Sequence, residues 1–153
     1  MSCAFLFCGC GDSTRPADLP KLYSCKITVI QGGKPLEDAT VTLLAKTPSK
    51  YGVSSATTDV SGTAVLCTYG FNGVPVGEYG VTITKIGVED AKESKTIEGN
   101  PIQIGGKVYS YVDAVFGNEN HPPYTIMVTK KGVAETFDIG TSVRIFLRNN
   151  DQY

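Results

Sequence analysis

The sequence predicts an all-β protein, an antiparallel β-sandwich of about seven to nine short strands. Three observations predict it. Apolar and polar residues alternate along short runs: Tyr23, Cys25, Ile27 and Val29 interleave with Ser24, Lys26 and Thr28, which gives the run one face to bury. Glycine and proline supply 17 and 8 of the 153 residues, and many of them fall between such runs, where turns are needed. No window of helical length carries an apolar stripe. A single sheet would leave its apolar face in water, so two sheets must pack face to face.

The elements follow in order. The first strand covers residues 23–29, and Gly32-Gly33-Lys34-Pro35 breaks it. Ala39, Val41, Leu43 and Ala45 form the next alternating run, and the Gly-Gly turn makes the two runs adjacent partners of a hairpin. Residues 54–58 are a short strand. Thr58-Asp59-Val60-Ser61-Gly62 is a tight turn in which Asp59 bonds forward to backbone N–H groups and Gly62 takes a positive φ. Ala64, Leu66 and Thr68 mark another strand, residues 70–77 a second turn region with Gly73, Pro75 and Gly77, and residues 78–85 a strand with Tyr79, Val81 and Ile83 inward. Residues 88–97 are charged without an apolar stripe and read as loop. Residues 107–115 give a weaker strand signal, and residues 124–128, 134–139 and 143–147 complete the set. The sandwich domain is therefore residues 21–149, with a tail at 150–153. Cys25 points inward while alternation turns Cys67 the other way, so the sequence predicts a buried, inert Cys25 rather than a disulfide.

Composition narrows the function. Hydrophobic residues make up 41% and charged residues 19%, which suits one folded domain rather than a disordered chain. Fourteen Lys+Arg stand against fifteen Asp+Glu, and no basic run occurs, which argues against a nucleic-acid or anionic-membrane surface built on Lys and Arg. The one histidine, His121, sits in a loop before Pro122-Pro123, too little for a Ser-His-Asp set or a hydrolytic metal centre. Glu37-Asp38 and Glu89-Asp90 read as solvated turns. The sequence thus predicts no catalytic residue, no metal site and no cofactor. Aromatic side chains supply the candidate ligand contacts: Tyr69, Phe71 and Tyr124, from a wider set with Tyr51, Tyr109 and Tyr111, present rings able to stack on a sugar or peptide. The expected state is a monomer that meets an envelope protein or a glycan.

The first ten residues, MSCAFLFCGC, hold three of the five cysteines, Cys3, Cys8 and Cys10. Their C-x4-C-x-C spacing lacks the C-x2-C pair of a zinc site. A short apolar run, small Gly9 and then a polar tract is how a secretory signal ends. Phe7-Cys8-Gly9-Cys10 resembles the lipobox of bacterial lipoproteins, with Phe7 and Cys8 where Leu and a small residue are usual. That resemblance implies residues 1–9 as a shortened signal with a start upstream of Met1. It also implies lipid on Cys10 and residues 10–20 as a tether to the bilayer.

Gly33-Lys34-Pro35-Leu36-Glu37-Asp38-Ala39-Thr40-Val41, Thr58-Asp59-Val60-Ser61-Gly62-Thr63-Ala64 and Gly73-Val74-Pro75-Val76-Gly77-Glu78-Tyr79-Gly80-Val81-Thr82-Ile83 occur in that order. Together they resemble carboxypeptidase regulatory-like domains over residues 22–85, with Ala64 where the family has an aromatic residue. The segment from Pro122 to Ile139 looks like the closing hairpin of small planctomycete-type lipoproteins that carry this domain. The resemblance implies a transthyretin-like (prealbumin-like) Greek-key sandwich in which Gly33, Asp59, Gly62, Gly73, Pro75 and Gly77 are turn residues. It implies no catalytic set. The expected function is a lipid-anchored structural or interaction module of a bacterial cell envelope, with ligand recognition by exposed Tyr and Phe as the alternative.

Overall fold

A computed structural model describes residues 15–150. Cys3, Cys8 and the lipid-attachment candidate Cys10 lie outside the described residues, as do residues 151–153 of the tail. The chain forms β1 (Cys25–Gln31), β2 (Lys34–Pro35), β3 (Thr40–Ala45), β4 (Val53–Thr57) and β5 (Thr63–Val65). It continues with β6 (Cys67–Thr68), β7 (Phe71–Asn72), β8 (Gly77–Thr84), β9 (Ile86–Glu89) and β10 (Lys92–Lys95). The remainder is β11 (Pro101–Ile104), β12 (Lys107–Ser110), a 3-10 turn (Ala114–Gly117), β13 (Tyr124–Val128), β14 (Val133–Asp138) and β15 (Ile145–Asn149).

Two sheets make the sandwich. In one, β1 is flanked by β14 on one side and by β2 and β5 on the other; in the second the order is β13-β8-β3-β4-β6-β7. Alternation decides which side chains face the gap. Cys25, Ile27 and Val29 of β1 are fully buried against Val41 and Leu43 of β3 and Val81 and Ile83 of β8, and all belong to one core cluster. Each such side chain contributes about 1.5–3 kcal/mol by leaving water. Tyr79 joins them, with its hydroxyl donating to Pro75 O at 3.0 Å, so the large ring is buried without an orphaned polar tip. Among the described residues Cys25 forms no disulfide, and burial pushes its thiol up to about 12, which keeps it an unreactive packing group.

The structure corrects several sequence expectations. The first strand and the 39–45 run are not hairpin partners. β1 turns back at Gly32-Gly33 onto the two-residue β2, and β3 then crosses to the other sheet to lie between β4 and β8. The sandwich is not wholly antiparallel, because β1 pairs in parallel with β14 from Cys25↔Val133 to Ile30↔Asp138. Residues 88–97 are not a loop: β9 pairs with β12, and β10 forms a hairpin with β11. A charged hairpin outside the core has no apolar stripe to betray it. The count accordingly rises above nine, to fifteen short strands among the described residues. Domain contacts also begin before residue 21. Leu19 is buried, and Asp18 accepts from Tyr51 Oη at 2.7 Å and from Lys50 Nζ at 2.9 Å.

The two sheets share two opposite ends. At one, which we call basal, β1 starts beside the start of β14, while β3 ends beside the starts of β4 and β8 and the end of β13. Residues 15–24, the 46–52 loop, residues 69–77 and the 129–132 turn gather there. At the other, apical end, β9 continues from β8, and the small sheet β15-β12-β9 extends the molecule. Gly62 sits apically with φ +74°, accepts from Val29 N through its carbonyl at 2.8 Å, and would bring a Cβ within 2.6 Å of Val29 O. Gly70 has φ +83° with nothing within 4 Å of such an atom. Gly62→Ala is therefore expected to lose about 2 kcal/mol or more of stability in urea denaturation, and Gly70→Ala only about 1 kcal/mol. Equal losses would show that close approach at Gly62 does not hold the turn against β1.

Candidate functional site

The turn residues predicted from sequence hold the frame. Gly33 completes the β1–β2 turn. Asp59 Oδ1 accepts from Ser61 Oγ at 2.6 Å, Ser61 N at 2.9 Å and Thr63 N at 3.0 Å. These bonds, the Ser61 hydroxyl foremost, hold its carboxyl below the usual range. Gly73 (φ +106°) lets the chain pass Leu22 and Tyr23, where a Cβ would come within 2.9 Å of both. Pro75 supplies the carbonyl that receives Tyr79, and Gly77 opens β8.

The three aromatic candidates do not form one site. Tyr69 and Phe71 lie at the β6–β7 edge of the large sheet and Tyr124 on β13 at the other edge. Five strand spacings separate them, roughly 24 Å. Tyr124 is half-buried between Phe116 and Phe137, with ring centroids 6.0 and 4.3 Å away, and its hydroxyl donates to Asp138 O at 3.2 Å. That stack closes the side of the sandwich. Burial raises the Tyr124 hydroxyl above its ordinary value. Phe71 is half-buried beneath the Arg15 guanidinium at 5.6 Å. Tyr69 is 66% exposed and meets Tyr51 edge-on at 5.7 Å.

The structure assembles a cluster that the sequence scatters over nearly sixty positions. On one face of the small sheet, Tyr109 and Phe146 meet edge-on at 5.7 Å, and the Arg144 guanidinium lies 3.8 Å over the Tyr109 ring. Arg144 Nε donates to both Glu89 oxygens at 3.0 and 3.2 Å, and Tyr111 Oη donates to Glu89 Oε1. Tyr111 can reach because its ring lies over Gly87, where a Cβ would come within 2.9 Å of it. Arg144 first, and Tyr111 second, lower the Glu89 carboxyl to about 2. Beside this cluster runs β15. Among the described residues it pairs only with β12, and Ile145, Phe146 and Leu147 are 39%, 53% and 47% exposed. The one sequence signal for it was three consecutive apolar residues that break the alternation.

Compared with known proteins, the chain matches no family model and no curated protein. Two solved structures are similar to it. The major pilin subunit of Bacillus cereus matches at 15% identity and a TM-score of 0.44, over 78% of this chain and 30% of that one. A 9R-lipoxygenase from Cyanothece matches at 17% identity and a TM-score of 0.30, over 86% of this chain and 18% of that one. The chain thus spans less than a third of either.

Two grooves of ≈ 300 and ≈ 290 Å³ open to solvent, one between β1 and β14 beside Ser24, Lys26, Lys131 and Gly132, the other under the 46–52 loop. Among the described residues no group of three or more His, Cys, Asp or Glu is placed to hold a metal ion, and every buried side-chain N or O has a hydrogen-bond partner. The chemistry this surface offers is an apolar strand edge backed by a buttressed ion pair.

The ion pair gives a pH signature. Folding lowers the Glu89 carboxyl from its ordinary 4.5 to about 2, so the pair contributes fully above pH 4.5 and loses its contribution as pH falls toward 2. The stability difference between wild type and Glu89→Gln should therefore be largest above pH 4.5 and shrink toward zero near pH 2, read by chemical denaturation across that window. A difference that does not change with pH would contradict the assignment.

Proposed function

We propose that this chain is a non-catalytic interaction module of a bacterial cell envelope, anchored by lipid on Cys10, that binds an extended strand of another envelope protein along β15. The carrying observation is the edge of β15, open among the described residues, with its exposed Ile145-Phe146-Leu147 run. An exposed apolar edge strand is a template for β-augmentation: backbone N–H and C=O groups supply affinity, and alternate side chains supply specificity. The Arg144–Glu89–Tyr111 network supports this reading, since it fixes β9, β12 and the entry to β15 relative to one another before a partner arrives. A preorganised edge has less conformational entropy to lose on binding. The lipobox resemblance at Cys10 supports the address, and the resemblance to carboxypeptidase regulatory-like domains supports a module without a catalytic set.

Two measurements test the two halves. In a bacterial host the wild type should incorporate palmitate and Cys10→Ala should not; an unlabelled wild type would remove the anchor. A photo-crosslinker at position 147 should give one discrete adduct in envelope fractions, lost on Ile145→Lys with Phe146→Lys. Those exposed substitutions should change stability by less than about 1 kcal/mol. No adduct, or one indifferent to the lysines, would remove the edge as the binding surface.

A further inference from the structure

No basic run exists in the sequence, yet the fold builds a basic surface. The basal end comprises the segments 15–24, 46–52, 69–77 and 129–132 with the two strand residues that adjoin each. It carries seven cations, Arg15, Lys21, Lys26, Lys46, Lys50, Lys130 and Lys131, against the two carboxylates of Asp18 and Glu78. The remaining described residues carry seven cations against eleven carboxylates. The described residues, net +1, are therefore split into a basal end near +5 and a remainder near -4. All seven basal cations are exposed, and of the two carboxylates Asp18 is already paired with Lys50.

Aromatic and apolar groups share this end. Tyr69 and Gly70, at φ +52° and +83°, form the two-residue turn joining β6 to β7, where Asn-Gly would fit the backbone with less strain. A tyrosine is held there instead, 66% exposed, and the same end carries Val53 and Val76, which are 60% and 51% exposed. Exposed Tyr and aliphatic groups ringed by Lys and Arg suit the boundary between lipid headgroups and acyl chains. The chain also enters the domain here: Arg15, the first described residue, lies against Phe71.

We infer that the basal end docks on an anionic bilayer surface, with Tyr69 at the headgroup level and the lysines over lipid phosphates. The ≈ 300 Å³ groove with Lys26 and Lys131 on its walls opens on this side and is a seat for a headgroup. The docked domain directs β15 away from the membrane, because the small sheet extends from the apical end. This inference deepens the envelope reading and rests on it for the presence of a bilayer, but its test uses no acyl chain.

The full-length Cys10→Ala protein is mixed with phosphatidylcholine vesicles with and without phosphatidylglycerol, and binding is read by co-sedimentation at about 0.1 M salt. Binding is expected to the anionic vesicles alone and to fall away at about 0.5 M salt as screening shortens the field. Lys130→Gln with Lys131→Gln should weaken it on the order of 20-fold, since each basic charge near an anionic surface is worth roughly fivefold. Tyr69→Ser should weaken it further, whereas Lys34→Gln with Lys92→Gln, away from the basal end, should leave it unchanged. Absence of binding, equal binding to both vesicles, or equal loss from the Lys34 and Lys92 changes would overturn the inference. Preferential binding to a nucleic-acid oligonucleotide over the anionic vesicles would overturn it too. Vesicle binding by this variant alongside an unacylated wild type in cells would remove the anchor while leaving the docking surface standing.

Discussion

The strand over residues 63–68 belongs to both sheets. β5 bonds to β1 through Lys26↔Val65 and Thr28↔Thr63, and β6 bonds to β4 through Ser55↔Cys67. Between them Leu66 is fully buried, its N–H donating to Cys25 O and its carbonyl accepting from Gly73 N, both at 2.9 Å. A strand can change sheets there only because both apolar faces need the same cover. Leu66 fills the gap while its backbone groups are satisfied on either side. Much of the rest follows from that crossing. Gly62 must approach Val29 where the strand begins, Gly73 must pass Tyr23 where it ends, and residues 15–24 lie along the basal edge that the crossing leaves.

Closing the sandwich in this way gives the molecule two unlike ends. Basal segments collect cations from three separated stretches of chain, and the apical end collects Glu89, Arg144 and the aromatic cluster beneath β15. Neither arrangement serves the core, whose energetics are carried by Ile27, Val29, Leu43, Leu66, Val81 and Ile83. Charge at one end and an apolar edge at the other suit a module that sits on one surface and presents a strand to another partner. In the proposed function the two surfaces would act through different physics: screened electrostatics at the base, backbone pairing and apolar contact at the apex.

Strand positions were largely legible in the sequence, because period-two alternation depends only on near neighbours. The run Tyr124–Val128 is a strand over the same five residues, and Tyr79, Val81 and Ile83 face inward as alternation requires. Partnership was not legible. Alternation gives a period and a face but no neighbour, so Gly32-Gly33 suggested a long hairpin where the chain makes a two-residue return and changes sheets. The β10–β11 hairpin stayed hidden because Lys92 and Glu93 offer no apolar face to read. The basal charge was invisible for a related reason. Each contributing segment carries only two or three cations, and only tertiary structure adds them. Tyr69, Phe71 and Tyr124 show the converse: three rings alike by residue type are set apart by strand order, one in the side-wall stack and two at the base.

The central claim is that this domain is oriented, with its basic end at the bilayer and β15 remote from it. Paramagnetic broadening of backbone amides by spin-labelled lipid in anionic vesicles measures that orientation residue by residue. Strong broadening is expected at Tyr69, Lys130 and Lys131 and none along Ile145–Asn149. Broadening centred on β15, or spread evenly over both ends, would contradict it.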